Sequence, residues 1–450
     1  MNLATNSLTN SLMRIAIIGA GAAGLSAAHV LTDLGYKNIT LYERNHRIGG
    51  KVFSLQHAGA IVELGALWAG TSYHYVLDMA KRYGVEFSQE SCDLLLWQDR
   101  QFKMMQETFF NGDRRLSMPA ALVNANVTFL RYRRDISKIG FTMIDPSLSE
   151  NFASFAKRHH FSVLASAFRP FWLGCGYADF DETPAIYVLK ILAPMIQNSV
   201  QTLLATRSWE QMTAGMVWFP TGYSTLFESI AGRLTDVRLG TAVTSVDRVH
   251  EQGNWSIKIR ADGQVENFDR VIVAVDPKSA WQFLDVSSDE DKLLTEIETH
   301  PYRMVLVNAK HQNLASNKVI LRDDAISSVG RPLVVSAIQR KEFAPWWVVG
   351  QLGGVCGDHD VNVSCLVNDL EALGFEAIQV ERVAEWNYFP RVSSSSLNSG
   401  YFDRFEAQQG QRGTFYVGSL FNSETVEHTV EFASQLIRRY FGSDSTNYLY

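Results

Sequence analysis

Three glycines and one acid carry the first chemistry legible in this chain. Gly19, Gly21 and Gly24 stand at the spacing G-x-G-x-x-G, and Glu43 follows nineteen residues after the last of them. Glycines so spaced let a pyrophosphate reach bare backbone. The first allows a tight turn, the second a close approach, and the third the packing of helix on strand. Ala20, Ala22 and Ala23 fill the gaps with the smallest side chains. A carboxylate at Glu43 is placed to accept from a ribose 2′-hydroxyl, and its charge repels a 2′-phosphate. The elements that must position these groups are readable beside them. Residues 15–18 are apolar on both faces, which predicts a buried parallel strand. Residues 25–34 read as a helix ended by Gly35, and 39–42 as the second strand. The helix N-terminus then offers free N–H groups and the positive end of its dipole to a phosphate.

Further glycines follow. Arg47-Ile48-Gly49-Gly50 lets backbone approach something flat or charged, and Arg44, Lys51 and Val52 flank it. Leu64, Gly65, Ala66 and Leu67 form another small and apolar stretch after Glu63. Late in the chain, residues 414–417 read as a buried strand leading to Gly418 and Ser419. A helix follows, with Val426, Val430, Ala433, Ile437 and Tyr440 on one face and Glu427 in its first turn. Its N-terminus is suited to the negative edge of an isoalloxazine. No second fingerprint is found, since the glycine-rich stretch 350–357 lacks the strand–turn–helix frame. The cofactor expected is therefore FAD alone, held non-covalently, with hydride drawn from an organic substrate.

The rest of the chain sets the frame. Its 450 residues exceed one simple core. With 46% hydrophobic and 20% charged residues it is globular, and a net charge of −6 gives no argument for nucleic acid. Cys92, Cys175, Cys356 and Cys365 are scattered without C-x-x-C, which fits a reducing cytoplasm and neither a disulfide framework nor a metal site. Residues 1–12 read as a loose polar tail, not a signal peptide, and no stretch is apolar enough for a transmembrane segment. The fold class expected is α/β: a discontinuous, Rossmann-like FAD-binding domain from 13–85, 218–283 and 384–450. A mixed sheet-plus-helices substrate domain takes 86–217 and 284–383. Within it, 90–215 reads as mostly helical. Stretches 237–247, 255–260 and 265–268 read as antiparallel strands with a turn at Asp262-Gly263, and 271–275 as a return to the parallel sheet ended by Pro277. The serines at 393–396 read as a loop.

Taken together, Gly19-x-Gly21-x-x-Gly24, Glu43, Arg47-x-Gly49-Gly50 and Glu63-Leu64-Gly65-Ala66 resemble the flavin-containing amine oxidase and phytoene desaturase superfamily along the whole chain. Within it, the likeness is greatest to the FAD-dependent polyunsaturated fatty acid double-bond isomerases. Residues 171–190, 222–228, 388–394 and 414–416 carry that likeness. The resemblance implies an amine oxidase-like fold, a backbone contact of Val243 with adenine, and hydride abstraction from an unsaturated, lipophilic small molecule. Return of hydride at another carbon would move the double bond without net redox change. Such chemistry asks for a dry apolar pocket. Candidates for its wall are Phe171, Trp172, Tyr177, Trp218 and Tyr388. No acid or base is assigned as catalytic.

Three departures from the resembling families matter. Many amine oxidases carry a lysine near the flavin where this chain has Met304, and Arg303 points to the other face by strand alternation. The isomerases anchor the substrate carboxylate with an arginine, and the stretch 92–96 has none, with Arg100 and Lys103 only nearby. That departure speaks against a free fatty acid and for a neutral lipid, polyene or carrier-bound chain. Ser419 stands where an acid often follows the last-strand glycine. His159 and His160 read as a solvated helix face, and His428 as either a flavin-edge or a structural residue. Two alternatives stay open: an amine oxidase or desaturase passing electrons to oxygen or another acceptor, and a flavin-free binding protein like the Rab GDP-dissociation inhibitors. Oligomeric state is open.

Overall fold

The computed structural model describes residues 12–109, 114–206, 216–251, 253–314, 317–322, 332–353 and 359–442. The tail expected at 1–12, save Leu12, and Cys356 lie outside them.

A five-stranded parallel sheet gathers segments distant in sequence. Its order is Asp236–Arg238, Asn38–Tyr42, Arg14–Ile18, Arg270–Val273, Thr414–Tyr416. Ile17 lies opposite Leu41 on one side and Ile272 on the other. Ile15, Ala16 and Ile17 have no solvent exposure, as expected of strands covered on both faces. The helix Ala22–Asp33 packs against the closing helix Val426–Phe441. Val430, Ala433 and Ile437 are fully buried, while Tyr440 is exposed, so the apolar stripe ends one turn early. The strands Val243–Glu251, Asn254–Ala261 and Gln264–Phe268 form a separate antiparallel sheet. Its hairpin turns on Asp262 (φ 48°) and Gly263 (φ 75°), the two positive φ values a tight two-residue turn requires.

A seven-stranded sheet forms the other half. Its order is Phe375–Val392, Ile297–His311, Trp346–Leu352, Leu333–Gln339, Lys318–Arg322, Asp93–Gln98, Gln101–Met104. One face packs Val305, Val307, Trp347 and Val349 against Leu366 and Leu370 of the helix His359–Ala372. The other face, with Tyr302, Met304 and Leu306, joins the main core. Helix Ser162–Gly174 packs on the strands Lys318–Arg322 and Leu333–Gln339, and helix Arg114–Arg131 packs on it and on helix Ala185–Thr206.

Several local expectations change. The region 90–215 is mostly helical where described, as expected, but its first part supplies two strands of the large sheet. The stretch 237–247 is not one strand, because Asp236–Arg238 belongs to the parallel sheet and a new strand starts at Val243. The domain boundary expected at 384 falls inside the unbroken strand Phe375–Val392, whose pairing with Ile297–His311 continues to Val392. Ser393 does not sit in a loop: its hydroxyl accepts from Ser396 N at 3.2 Å and starts the helix Ser394–Asn398. Pro277 opens a short helix, Pro277–Ala280, capped by Asp276.

Candidate functional site

A cavity of about 780 Å³ lies between the parallel sheet and the large sheet. Gly19, Gly21, Ala22, Ala23, Glu43, Arg44, Gly49, Gly50, Lys51, Val52, Gly65, Ala66, Leu67, Val243, Gly418, Ser419 and Val426 all line it. The glycines do there what their spacing demands. Gly21 and Gly49 bridge as parallel backbone, and Gly49 N donates to Ala20 O at 2.9 Å. A Cβ on Gly50 would sit 3.0 Å from Gly21 Cα. A Cβ on Gly24 would run into the Gly19 carbonyl oxygen, so that glycine sets the seat of the helix and does not face the cavity.

Ala22–Asp33 begins at Gly21 with no side-chain cap and no acid in its first turn. Its first N–H groups therefore lack partners within the helix and open toward the cavity, where an anion would satisfy them. Glu43 is buried at the end of its strand; Ala20 N donates to its Oε2 at 3.0 Å and Asn45 N to its Oε1 at 2.8 Å. Those bonds aim the carboxylate at the cavity wall it shares with Gly19 and Val243. Gly418 has open space where a Cβ would stand. An uncapped helix end, a glycine cradle and a fixed carboxylate fit the diphosphate and ribose of FAD. The residues that would hold it are Gly19 to Ala23, Glu43, Gly49, Gly50 and Gly418.

Ala20 and Leu64, expected among the cofactor residues, do not line the cavity; Ala20 N donates to Glu43 and Leu64 O accepts from Trp386 Nε1 at 3.1 Å. Glu427 turns elsewhere. Its carboxylate accepts from Tyr75 N and Val76 N, both at 2.9 Å, and caps the helix His74–Tyr83. Burial raises its pKa to about 7 against those two bonds. His428 is likewise absent from the wall. Its ring Nδ1 meets Thr425 Oγ1 at 3.0 Å, and burial holds its pKa down at about 3. Of the two outcomes open for it, the structural one is found.

The opposite wall is aromatic. Tyr177 and Tyr388 line it, whereas Phe171, Trp172 and Trp218 are core residues behind it. Trp172 packs on Tyr177 at 4.3 Å and Trp218 on Trp68 at 5.6 Å, so two of the three support ring neighbours that do line the cavity. Tyr177 stacks on Tyr388 at 5.9 Å and 24°, and Tyr302 lies 5.2 Å from Tyr388. Met304 joins them in the wall and is 1% exposed. Arg303 points to the far face, donating to Gln351 Oε1 at 2.8 Å. Burial pushes the Cys175 thiol up to about 12 and raises the phenols of Tyr177, Tyr302 and Tyr388 above their ordinary value. These four side chains therefore stay neutral at every ordinary pH, with Lys51 Nζ 5.2 Å over the Tyr388 ring.

Sequence reasoning missed Tyr302, Tyr73, Trp68, Cys175 and Glu424. Tyr302 had a signal: two residues before Met304 on one strand, it must share its face. Glu424 supplies the acid not found at 419. Lys51 Nζ donates to its Oε1 at 2.8 Å and Ser419 Oγ to its Oε2 at 2.7 Å. Arg100 and Lys103 lie outside the wall, Arg100 at a hairpin tip with φ 60° and Lys103 paired with Asp99 at 2.8 Å. His159 caps the C-terminus of the helix Phe152–Arg158 and packs on Phe155 at 4.4 Å, so it is less solvated than expected. Among the described residues no group of His, Cys, Asp or Glu could hold a metal, and no helix is long and apolar enough to cross a membrane.

Known proteins agree with this geometry. Residues 22–289, more than half the chain, match the family model described as flavin containing amine oxidoreductase. An L-amino-acid oxidase of Demansia vestigiata is 36% identical over 93 residues, 20% of this chain and 18% of its own length. A polyenoic fatty acid isomerase of Ptilota filicina is 22% identical over 282 residues, 57% of this chain and 55% of its own. The chain thus spans less than a fifth of the first of these relatives and about half of the second. In fold, it superposes on the CLA-producing fatty acid isomerase from P. acnes with a TM-score of 0.83 at 21% identity, covering 96% of this chain and 99% of that one. The chain belongs to the flavin-containing amine oxidoreductase family, as an enzyme whose cofactor is FAD.

Proposed function

We propose that this protein moves a double bond in an unsaturated, lipophilic substrate by abstracting and returning hydride. The observation that carries the reading is the aromatic wall. Tyr177, Tyr302, Tyr388, Cys175 and Met304 present apolar surface and neutral groups, while two of the carboxylates that also line the cavity are held elsewhere, Glu43 by Ala20 N and Asn45 N and Glu424 by Lys51 and Ser419. Bound FAD supplies the chemistry of accepting a hydride from carbon and giving one back. The chain's own residues hold the substrate chain between stacked rings, exclude water and keep a carbocation from meeting a nucleophile. With FAD bound, loss of hydride from one carbon, a shift of the neighbouring double bond and return of hydride to another carbon would balance in atoms and electrons without an outside oxidant.

Charge narrows the substrate. Among the described residues the cavity's only lysine or arginine side chains are Arg44 and Lys51. Lys51 is committed to Glu424, and Arg44 lies beside Glu43 on the glycine side. A free carboxylate would have no unpaired cation among the tyrosines. A neutral lipid, polyene or carrier-bound chain suits that surface better than a free fatty acid.

The test is to mix FAD-loaded protein anaerobically with polyunsaturated fatty acids, their esters, carotenoid-like polyenes and amines. A new conjugated absorbance from an ester or polyene, without lasting loss of the yellow flavin colour, is expected. Oxygen uptake equal to product formed, in air, would establish the oxidase reading instead. A protein that stays colourless after exposure to FAD would favour a binding role without flavin.

A further inference from the structure

The helix Arg114–Arg131 is turned the wrong way out for a helix that only serves the core. Its buried residues are Met118, Ala121, Ala125, Thr128 and Phe129. Its opposite face carries Leu116, Val123, Val127 and Leu130, exposed by 89%, 62%, 62% and 60%. The spacing of seven, four and three places all four on one stripe about 21 Å long. Among the described residues, twelve large hydrophobic side chains are exposed, and these are four of them. Scattered singles need no explanation, but an aligned row does.

Charge distinguishes what the row faces. The chain has a net charge of −6, yet residues 114–134 hold five arginines and no acid. Arg114 and Arg115 stand at one end of the stripe, and Arg131, Arg133 and Arg134 at the other. Among the described residues none of the five lies within ion-pair distance of a carboxylate, Asp135 included. A second copy of this chain, packed stripe to stripe about a two-fold axis, would set arginines against arginines. A water-facing role leaves the four apolar side chains unexplained. An anionic bilayer satisfies both features: apolar side chains enter the acyl boundary while arginines reach lipid phosphates.

From this juxtaposition we infer that Arg114–Arg131 docks the protein, lying flat, on an anionic lipid surface. The helix is placed to matter there. It packs on Ser162–Gly174, whose last residue and the following Cys175 line the cavity. Docking would bring that wall near the phase in which lipophilic molecules dissolve. The inference concerns the surface and does not depend on the reaction.

Flotation of the FAD-loaded full chain with vesicles tests it. Wild type is expected to float with phosphatidylcholine vesicles containing 30% phosphatidylglycerol, not with phosphatidylcholine alone, and to be released by salt. The variant Val123→Asp/Val127→Asp is expected to lose binding, and Arg131→Glu/Arg133→Glu to lose at least roughly fivefold per arginine. All these positions are exposed, so the flavin spectrum and melting temperature should stay as in wild type and separate lost docking from lost fold. Equal flotation with both vesicle types, no flotation at all, or undiminished binding by both variants would overturn the inference. So would a solution dimer that Val123→Asp/Val127→Asp dissolves, which would assign the stripe to a second copy.

Discussion

Replacing Gly24 by alanine tests the central claim about the nucleotide site. Gly24 sits in a helix with ordinary backbone angles, so alanine there is locally favourable. What opposes it is contact. The new methyl would press into the Gly19 carbonyl oxygen and lie 3.1 Å from Ala274 Cβ and 3.2 Å from the Gly19 carbonyl carbon. These are backbone atoms and a Cβ fixed to backbone, which cannot swing aside. The helix must retreat by about 1 Å to restore ordinary separation, and its free N–H groups retreat with it. Overpacking of this kind destabilises by about 1–3 kcal/mol. Loss of one charge-assisted hydrogen bond to a phosphate removes about 1.5–3 kcal/mol of binding, roughly 10- to 150-fold in the FAD dissociation constant. The control is Gly35→Ala at the far end of the same helix. There the methyl meets nothing within 4 Å, but φ is +87°. It should cost about 1 kcal/mol of stability and leave FAD affinity alone. Titration of apoprotein with FAD, followed by flavin fluorescence, gives both constants. Equal FAD affinity for Gly24→Ala and wild type would refute the assignment of helix seating to that glycine.

Three further outcomes are expected. Glu63 and Glu427 are both buried, and burial raises each pKa to about 7; an unfolded glutamate titrates near 4.3. Between those values the folded state keeps protons the unfolded state has lost, so stability falls as pH rises from about 4.5 to about 7, by up to roughly 3 kcal/mol per group. Glu427→Gln should flatten that fall in melting temperature between pH 5 and 8; a slope identical to wild type would contradict it. Arg248 is fully buried and donates to Glu290 at 2.6 Å, so Arg248→Met should cost about 3–5 kcal/mol in urea unfolding by stranding a buried charge; a loss under about 1 kcal/mol would mean that Arg412 and Tyr416 suffice to hold Glu290. Tyr388→Phe keeps the ring and removes the hydroxyl. Hydride transfer without acid–base help predicts a rate within about threefold of wild type, whereas a loss of about a hundredfold would make that phenol a proton carrier.

What could be read in the sequence follows burial. The strands Arg14–Ile18, Asn38–Tyr42, Arg270–Val273 and Thr414–Tyr416 are largely apolar because both faces are covered, and a strand was read at each. Phe375–Val392 was not, since it is an edge strand with most of its first half exposed and with bulges against its neighbour. Apolar periodicity has nothing to report there. The glycine cradle was legible because its residues act through missing side chains. Glu427 was misplaced because its partners, Tyr75 and Val76, are some 350 residues away in the chain. Glu424 was missed because a 3-10 turn at Ser419–Phe421 carries the chain round before the acid arrives. Neither a capped helix across a domain nor a loop's return has a local signature.

The parallel sheet has one more consequence, for synthesis. Arg14–Ile18 is made early, but one neighbour is Arg270–Val273, and that strand in turn pairs with Thr414–Tyr416. The cavity wall runs from Ile18 to Thr429. A nascent chain therefore carries its phosphate loop on the ribosome until Thr414–Tyr416 and the residues up to Thr429 have been made, before the pocket closes. Contacts this distant in sequence form slowly. FAD has no complete seat to occupy until nearly all of the described chain has emerged, and a cofactor that binds only the closed pocket stabilises the finished fold by mass action.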